Sequence, residues 1–213
     1  MPNINLTDYH PRWQESRVRW MLGLYPEEFW NGKNVLELAP FNGVIGDFFR
    51  SIGANVLSVE GRPENIKRIN EGFPLLNVIE GNLDCAEWPY GNFDIIINFG
   101  LFYHLENYHV EHLNNCINHC STMFFESVVF DSNRPELYRT DEKVGDDQSL
   151  SKVGNTPSTS FVEWILDKNC CRYVRYSDKE LNGDGHTYDW ADENKRNYKN
   201  QNRRMWVVKC RLA

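Results

Sequence analysis

The stretch of sequence that indicates the fold class is NVLELAPFNGVIGDFFRSIGANVLSVE, residues 34–60. It contains two short apolar runs, at residues 34–38 and 55–59, which are typical of buried strands. Between them, residues 44–52 carry apolar side chains at the spacing of an amphipathic helix. A strand, a helix and a second strand in this order predict a β-α-β unit with two parallel strands.

Strands and helices continue to alternate after this unit. Residues 63–70 predict a helix because a proline stands in its first turn and a glycine follows its end. Residues 93–99 are continuously apolar in the middle, as expected of a central parallel strand that helices cover on both faces. The other predicted elements are helices at 106–120 and 160–168, the second opened by a capping box of Ser160 and Glu163, and strands at 76–80, 123–130, 172–176 and 205–212. Together they predict an α/β fold, a doubly wound Rossmann-like sheet of seven strands, mixed because one strand is antiparallel.

The composition is that of a globular domain. Of 213 residues, 41% are hydrophobic and 25% are charged, which predicts a single domain over residues 1–213 with an N-terminal helix at about 11–24. The formal net charge of -7 gives no general attraction to nucleic acid or to an anionic membrane. There is no secretion signal and no apolar run of about 20 residues, and the six cysteines form no CxxC pair. We therefore expect a cytoplasmic protein with no membrane partner.

A ligand site should lie beyond the carboxyl ends of the strands, where the strand order of such a sheet reverses. The first strand ends in an acid, and a short turn follows it: Glu37, then Ala39, Pro40, Phe41, Asn42 and Gly43. This turn resembles the first motif of the class I S-adenosylmethionine-dependent methyltransferases, an acidic residue followed by alternating glycines. Glu37 matches the acid and Gly43 the third glycine, whereas Ala39 and Phe41 replace the first two. The resemblance implies that these residues hold the methionine end of S-adenosylmethionine.

Three later turns resemble the same family. The second strand closes on the residues that would hold the ribose, Glu60, Gly61 and Arg62. After the third strand, Asn82 and Leu83 resemble the segment that borders the adenine, with Asn82 or Asp84 as the polar contact. The fourth strand ends in Asn98 and Phe99, which the resemblance also places at the cofactor. The segment that follows, Gly100-Leu101-Phe102-Tyr103-His104, is similar to a signature of a methyltransferase branch that includes tRNA wobble-uridine modifying enzymes.

A methyl acceptor that is a hydroxyl or an amine needs a base to take its proton. His104 follows the central strand and is the predicted base, and Tyr103 is the residue predicted to orient the acceptor. Glu126 and Asp131 flank the end of the next strand and are alternative bases. The histidines and cysteines between 104 and 120 fit no common zinc spacing, so we expect no metal.

Two long segments, residues 131–157 and 177–203, are expected to overhang this edge of the sheet. Their candidate substrate contacts are Arg134, Tyr138, Arg139, Asp146, Asp147 and Gln148 in the first, and His186, Tyr188 and Trp190 in the second. Residues 194–204 are locally basic and are the part of the chain most suited to touching RNA. The preceding acids offset this charge, so a solvated loop is favoured.

The sequence thus predicts an S-adenosylmethionine-dependent methyltransferase that acts on a small polar molecule. An RNA-modifying methyltransferase, of the tRNA type, is the alternative within the same family. An NAD(P)-linked oxidoreductase is disfavoured because a dinucleotide motif ending at Gly43 and Gly46 needs its first glycine at Phe41. A protein that binds the adenosyl cofactor without catalysis is a further alternative. The sequence does not indicate an oligomeric state.

Overall fold

The computed structural model of the protein describes residues 4, 6–7, 10–143, 145, 148–193 and 202–210. Within them, the α-helices are α1 (Pro11–Leu24), α2 (Glu27–Trp30), α3 (Val44–Ser51), α4 (Pro63–Gly72), α5 (His109–Asn118) and α6 (Thr159–Lys168). The strands are β1 (Asn34–Leu38), β2 (Asn55–Glu60), β3 (Asn77–Glu80), β4 (Phe93–Phe99), β5 (Cys120–Val128), β6 (Leu137–Asp141), β7 (Val153–Pro157), β8 (Arg172–Tyr176) and β9 (Arg203–Lys209). Two short 3-10 turns cover Phe102–His104 and Lys179–Leu181.

Seven strands form one sheet in the order β3-β2-β1-β4-β5-β9-β8. The first five strands in this order are parallel, whereas β9 runs antiparallel to both of its neighbours, β5 and β8. The strand order reverses between β1 and β4, which is where such sheets bind their ligands. The predicted seven-stranded, doubly wound sheet with one antiparallel strand is therefore confirmed.

The helices bury both faces of the sheet, as the continuous apolar runs of the inner strands require. One core lies between the sheet and α1 to α4, with Trp30 and Phe49 fully buried in it. The other lies between the sheet and the pair α5 and α6, with Phe125 and Trp206 fully buried. None of the helices in the described part of the chain has an apolar stretch of the length that crossing a bilayer requires.

Several details of the elements differ from the prediction. Helix α5 begins at His109 rather than near residue 106, since the Asp84 carboxylate accepts the backbone N–H groups of residues 106–108 at 2.9 to 3.1 Å. The cap of α6 is Ser158, which accepts the Phe161 N–H at 3.0 Å, and not the predicted Ser160. Within the predicted loop at 131–157, β6 and β7 form an antiparallel hairpin.

Candidate functional site

A cavity of about 850 Å³ opens at the carboxyl edge of the sheet. The turns after β1, β2, β3 and β4 form one side of it, and α1, the β6–β7 hairpin and residues 184–186 form the other. It brings together most of the residues singled out from the sequence: Glu37, Ala39, Pro40, Phe41, Asn42, Glu60, Gly61, Arg62, Asn82, Leu83, Phe99, Tyr103 and His104.

The turn after β1 keeps a glycine-type backbone although two of its glycine positions are substituted. The φ angles are 51° at Ala39, 55° at Phe41 and 79° at Gly43, all in the left-handed region that favours glycine. The Phe41 ring lies against the guanidinium of Arg68, whose Cζ is 5.1 Å from the ring centroid. The Phe41 N–H meanwhile donates to Glu60 Oε2 at 3.1 Å. The substitutions therefore leave the path of the turn and its link to β2 intact.

Glu37 joins β1 to the start of α3. Its carboxylate accepts the Gly46 N–H at 3.1 Å and the Ser58 hydroxyl at 2.8 Å. A Cβ added at Gly46 would collide with this carboxylate, so glycine is required there by close approach. Burial raises the pKa of Glu37 to about 7, because desolvation outweighs the two hydrogen bonds that favour the charged form.

This pKa predicts a pH dependence of folding stability. A glutamate ionises near 4.5 when exposed, whereas folded Glu37 keeps its proton up to about pH 7. The folded state is therefore favoured at low pH, and this contribution is lost as the pH rises from about 4.5 to 7. We expect the Glu37→Gln variant to lack this loss, which is roughly 2 to 3 kcal/mol. Urea unfolding of both proteins at pH 5 and pH 8 measures it, and the same pH dependence in both would contradict the assignment.

Glu60 closes β2 and faces the same cavity. Besides Phe41, the Arg62 N–H donates to it at 3.0 Å, and the Asn65 amide lies at 3.4 Å. Burial raises its pKa, and the backbone hydrogen bonds act in the opposite direction. A carboxylate offers about four acceptor positions on its two oxygens, and these three donors occupy most of them.

In the loop after β3, the structure distinguishes between the two candidates for a polar contact with a ligand. Asn82 is exposed to the cavity, and its Oδ1 accepts the Asp84 N–H at 3.0 Å. The Asp84 carboxylate also borders the cavity, but it is occupied by the backbone N–H groups before α5. Asn82 is therefore better placed than Asp84 to contact a ligand.

Two predicted cofactor residues do not line the cavity. Asn98 is fully buried, and its Nδ2 donates to His112 Nε2 at 2.9 Å, on the side of β4 that packs on α5. His112 accepts there because burial lowers its pKa to about 4, and its other nitrogen donates to the Leu83 carbonyl. At Gly43, an added Cβ would lie 3.1 Å from Ile69, so this residue packs against α4. Asn98 therefore links β4 to α5, and Gly43 packs against α4 rather than lining the cavity.

His104 has a partner that the sequence did not indicate. Its Nδ1 lies 2.8 Å from both carboxylate oxygens of Glu142, which also accepts the Ser149 N–H at 2.7 Å. An ionised carboxylate only accepts hydrogen bonds, so Nδ1 carries a proton, and in the neutral ring Nε2 is the acceptor. Glu142 follows β6, 38 residues after His104, and no motif connects the two. Both residues line the cavity, so the imidazole is set up as a proton acceptor.

The alternative bases have structural partners. Glu126 Oε1 accepts from Arg203 Nη1 at 2.7 Å and from the Tyr188 hydroxyl at 3.0 Å, and all three residues are buried. Arg203 Nη2 donates to the Tyr103 hydroxyl at 3.1 Å and so fixes its position. Asp131 accepts the Glu193 N–H at 2.8 Å. A carboxylate paired with a buried arginine is a poor base, so this cluster holds Tyr103 in place beside His104.

The structure also sorts the other predicted substrate contacts. Gln148 and His186 line the cavity, whereas Arg134, Tyr138 and Arg139 are exposed outside its lining. Tyr188 and Trp190 pack beneath it, the latter with the Arg204 guanidinium 3.5 Å from its ring centroid. Asp146, Asp147 and residues 194–201 of the basic stretch lie outside the described residues.

Of the basic stretch, Arg203 and Arg204 are described, and both are buried in ion pairs, with Glu126 and Asp192 respectively. Neither is presented to an external polyanion. The prediction that this stretch is a solvated loop is wrong for these two residues, because the start of β9 draws them into the sheet.

Comparison with known proteins identifies relatives by structure alone. No family model matches the chain, and no curated protein matches its sequence. The N-terminal domain of EvdMO1 with SAH bound superimposes with a TM-score of 0.70 at 15% identity, covering 98% of this chain and 83% of that one. A methyltransferase dependent on S-adenosylmethionine from Mesorhizobium loti gives 0.62 at 13% identity, covering 92% and 97%. The N-methyltransferase NodS from Bradyrhizobium japonicum in complex with SAH gives 0.63 at 13% identity, covering 95% and 89%. The chain therefore has the Rossmann-like fold of the class I S-adenosylmethionine-dependent methyltransferases.

Proposed function

We propose that the protein is an S-adenosylmethionine-dependent methyltransferase that acts on a small molecule. One observation supports this most strongly: the glycine-type turn, Glu60 and the His104–Glu142 pair all line one cavity. A site for methyl transfer needs two parts, one for an adenosyl cofactor and one for the acceptor.

The residues along the sheet edge fit the cofactor in order. Glu60 would accept the ribose hydroxyls, with Gly61 and Arg62 beside it. Asn82 and Leu83 would border the adenine. The turn after β1 would hold the methionine end, through the residues Ala39, Pro40, Phe41 and Asn42, and its positive φ angles let its backbone approach a ligand closely. Glu37 and Phe99 complete the lining of this part of the cavity.

The bound cofactor supplies an electrophilic methyl group on a sulfonium. In transfer to a hydroxyl, the C–O bond would form as the C–S bond broke with its electron pair left on sulfur, and His104 Nε2 would take the hydroxyl proton. Glu142 keeps the imidazole in the tautomer that can take this proton and stabilises the imidazolium that results. His104 returns the proton to solvent as products leave. Tyr103, fixed by Arg203, borders the acceptor.

A small acceptor is favoured over RNA by the shape and charge of the protein. The cavity of about 850 Å³ lies within the range of small-molecule sites, roughly 300 to 1,000 Å³. The net charge is -7, and both arginines of the basic stretch that are described are buried in ion pairs. Binding RNA would need a cationic surface that tracks the phosphates.

A thermal unfolding panel tests the cofactor. We expect S-adenosylmethionine and S-adenosylhomocysteine to stabilise the protein by about 2.7 kcal/mol at 100 times the dissociation constant. NADH and NADPH should give no shift, and a shift with either nicotinamide cofactor alone would overturn the proposal. Release of S-adenosylhomocysteine in the presence of an acceptor then separates an enzyme from a protein that only binds the cofactor.

A further inference from the structure

Two residues that line the cavity, Trp13 and Gln14, carry buried polar atoms that have no hydrogen-bond partner in the described part of the chain. Trp13 Nε1 and Gln14 Oε1 are buried, and among the described residues neither is bonded. Both residues line the cavity, together with Asp184 and His186, although Gln14 is only 2% exposed. An unpaired buried polar group is destabilising, so these atoms are candidates for a ligand. We call Trp13, Gln14 and His186 the α1 subsite.

The α1 subsite is built on a fixed frame. The Trp13 N–H donates to Asp184 Oδ2 at 2.9 Å, which ties α1 to the 183–186 turn. The Trp13 ring stacks on the guanidinium of buried Arg17, whose Cζ is 4.5 Å from the ring centroid. A Cβ on Gly183 would lie 3.3 Å from the Trp13 backbone, so the turn packs closely on the helix.

The polar atoms of the α1 subsite differ in whether they donate or accept a hydrogen bond. Trp13 Nε1 is a donor only, and Gln14 Oε1 is an acceptor. His186 donates from Nδ1 to the Gly183 carbonyl at 3.1 Å, and burial together with the charges of Arg203 and Arg17 lowers its pKa to about 3. Its Nε2 is therefore an acceptor. A hydroxyl can donate and accept at once, whereas a carboxylate cannot donate and an ammonium group cannot accept.

Four charged groups act on Arg17 and His186, and their formal charges sum to zero. Arg17 and Arg203 are buried beside it, and Glu126 and Asp184 supply two negative charges. A ligand that carries a net charge would leave this balance uncompensated in a site of low dielectric constant. The subsite also continues into the reactive region, because Arg203 binds Tyr103, whose ring centroid is 4.0 Å from that of His104.

We infer that the methyl acceptor is an uncharged small molecule with at least two hydroxyl groups, one held by the α1 subsite while another reacts at His104. This inference rests on the proposed function and gives it a substrate class. The product is a methyl ether, formed by the bond changes described above.

The indole N–H resonance of Trp13 tests the inference directly. The protein saturated with S-adenosylhomocysteine is titrated with three probes of matched size: a neutral methyl hexoside, the corresponding amino sugar and the corresponding uronic acid. We expect the neutral probe, at high millimolar concentration, to move the Trp13 resonance at least tenfold more strongly than the other two. Trp20 lies on the same helix but donates to Asp178 outside the cavity lining, so its resonance is the internal control. A larger response to the charged probes, or none to the neutral one, overturns the inference.

The Gln14→Leu variant provides a second measurement. We expect it to weaken binding of the neutral probe about tenfold while the affinity for S-adenosylhomocysteine is unchanged. Arg12→Ala, at an exposed position of the same helix, is the control that should alter neither. A loss of S-adenosylhomocysteine affinity in Gln14→Leu would assign the side chain to the cofactor instead and overturn the inference. Failure of the wild type to bind S-adenosylhomocysteine at all would count against the proposed function itself.

Discussion

Replacing His104 by alanine is expected to lower the turnover number of methyl transfer by roughly 10² to 10⁴-fold, the usual contribution of a general base. The reason is that the acceptor proton would have no group to receive it. The affinity for S-adenosylhomocysteine should change little, because the side chain is proposed to face the acceptor rather than the adenosine. Single-turnover kinetics and calorimetric titration measure the two quantities separately. Equal losses in both would make His104 a residue of the cofactor pocket.

Glu142 is the positioning residue of this pair, and Glu142→Gln tests that role. A glutamine amide can donate as well as accept, so it no longer fixes the proton on Nδ1 of His104. We expect a large loss of turnover together with a change in the nitrogen chemical shifts of the imidazole, which report the tautomer. Glu111→Gln, at an exposed position on α5, is the matched control. A slower enzyme with an unchanged tautomer would mean that Glu142 acts only by holding the hairpin.

Glu60→Ala is expected to weaken the binding of S-adenosylhomocysteine roughly 10- to 100-fold, because a hydrogen bond from a ribose hydroxyl to a carboxylate is worth roughly 1.5 to 3 kcal/mol. The same change frees the Phe41 and Arg62 N–H groups, so urea unfolding must accompany the titration to show that the variant folds. Glu64→Ala, an exposed acid in the first turn of α4, should bind as the wild type does. An affinity within about threefold of the wild type for Glu60→Ala would place the ribose elsewhere.

The turn after β1 keeps the backbone conformation of its motif although two of the motif's glycines are replaced. Ala39 and Phe41 would argue against a glycine-rich turn if the residue types alone decided its conformation. Their φ angles of 51° and 55° show that the surrounding structure imposes the left-handed backbone on them. The acids at the ends of β1 and β2, and the spacing between them, were therefore better evidence for this turn than the presence of glycine at its motif positions.

Patterns in the sequence were enough to predict the architecture and the edge of the sheet that carries the cavity. The apolar run of residues 93–99 and the helical spacing of residues 44–51 indicate which faces of the strand and the helix are buried. The residues of a buried face are close together in the sequence, so a local pattern is enough to predict it. Glu37 and Glu60 could be assigned to this edge for the same reason, because each lies at the end of a strand that the sequence predicts.

The pairs of side chains around the cavity could be seen only in the folded chain. Glu142 reaches His104 from a hairpin that the sequence presented as a loop, and the His186 ring lies 6.1 Å from the Trp13 ring, centroid to centroid, although the two residues are at opposite ends of the chain. Asn98 was assigned to the cofactor by resemblance alone, whereas its side chain lies on the face of β4 that packs on α5. Such pairings depend on contacts between residues far apart in the chain, and no local periodicity or spacing carries that information.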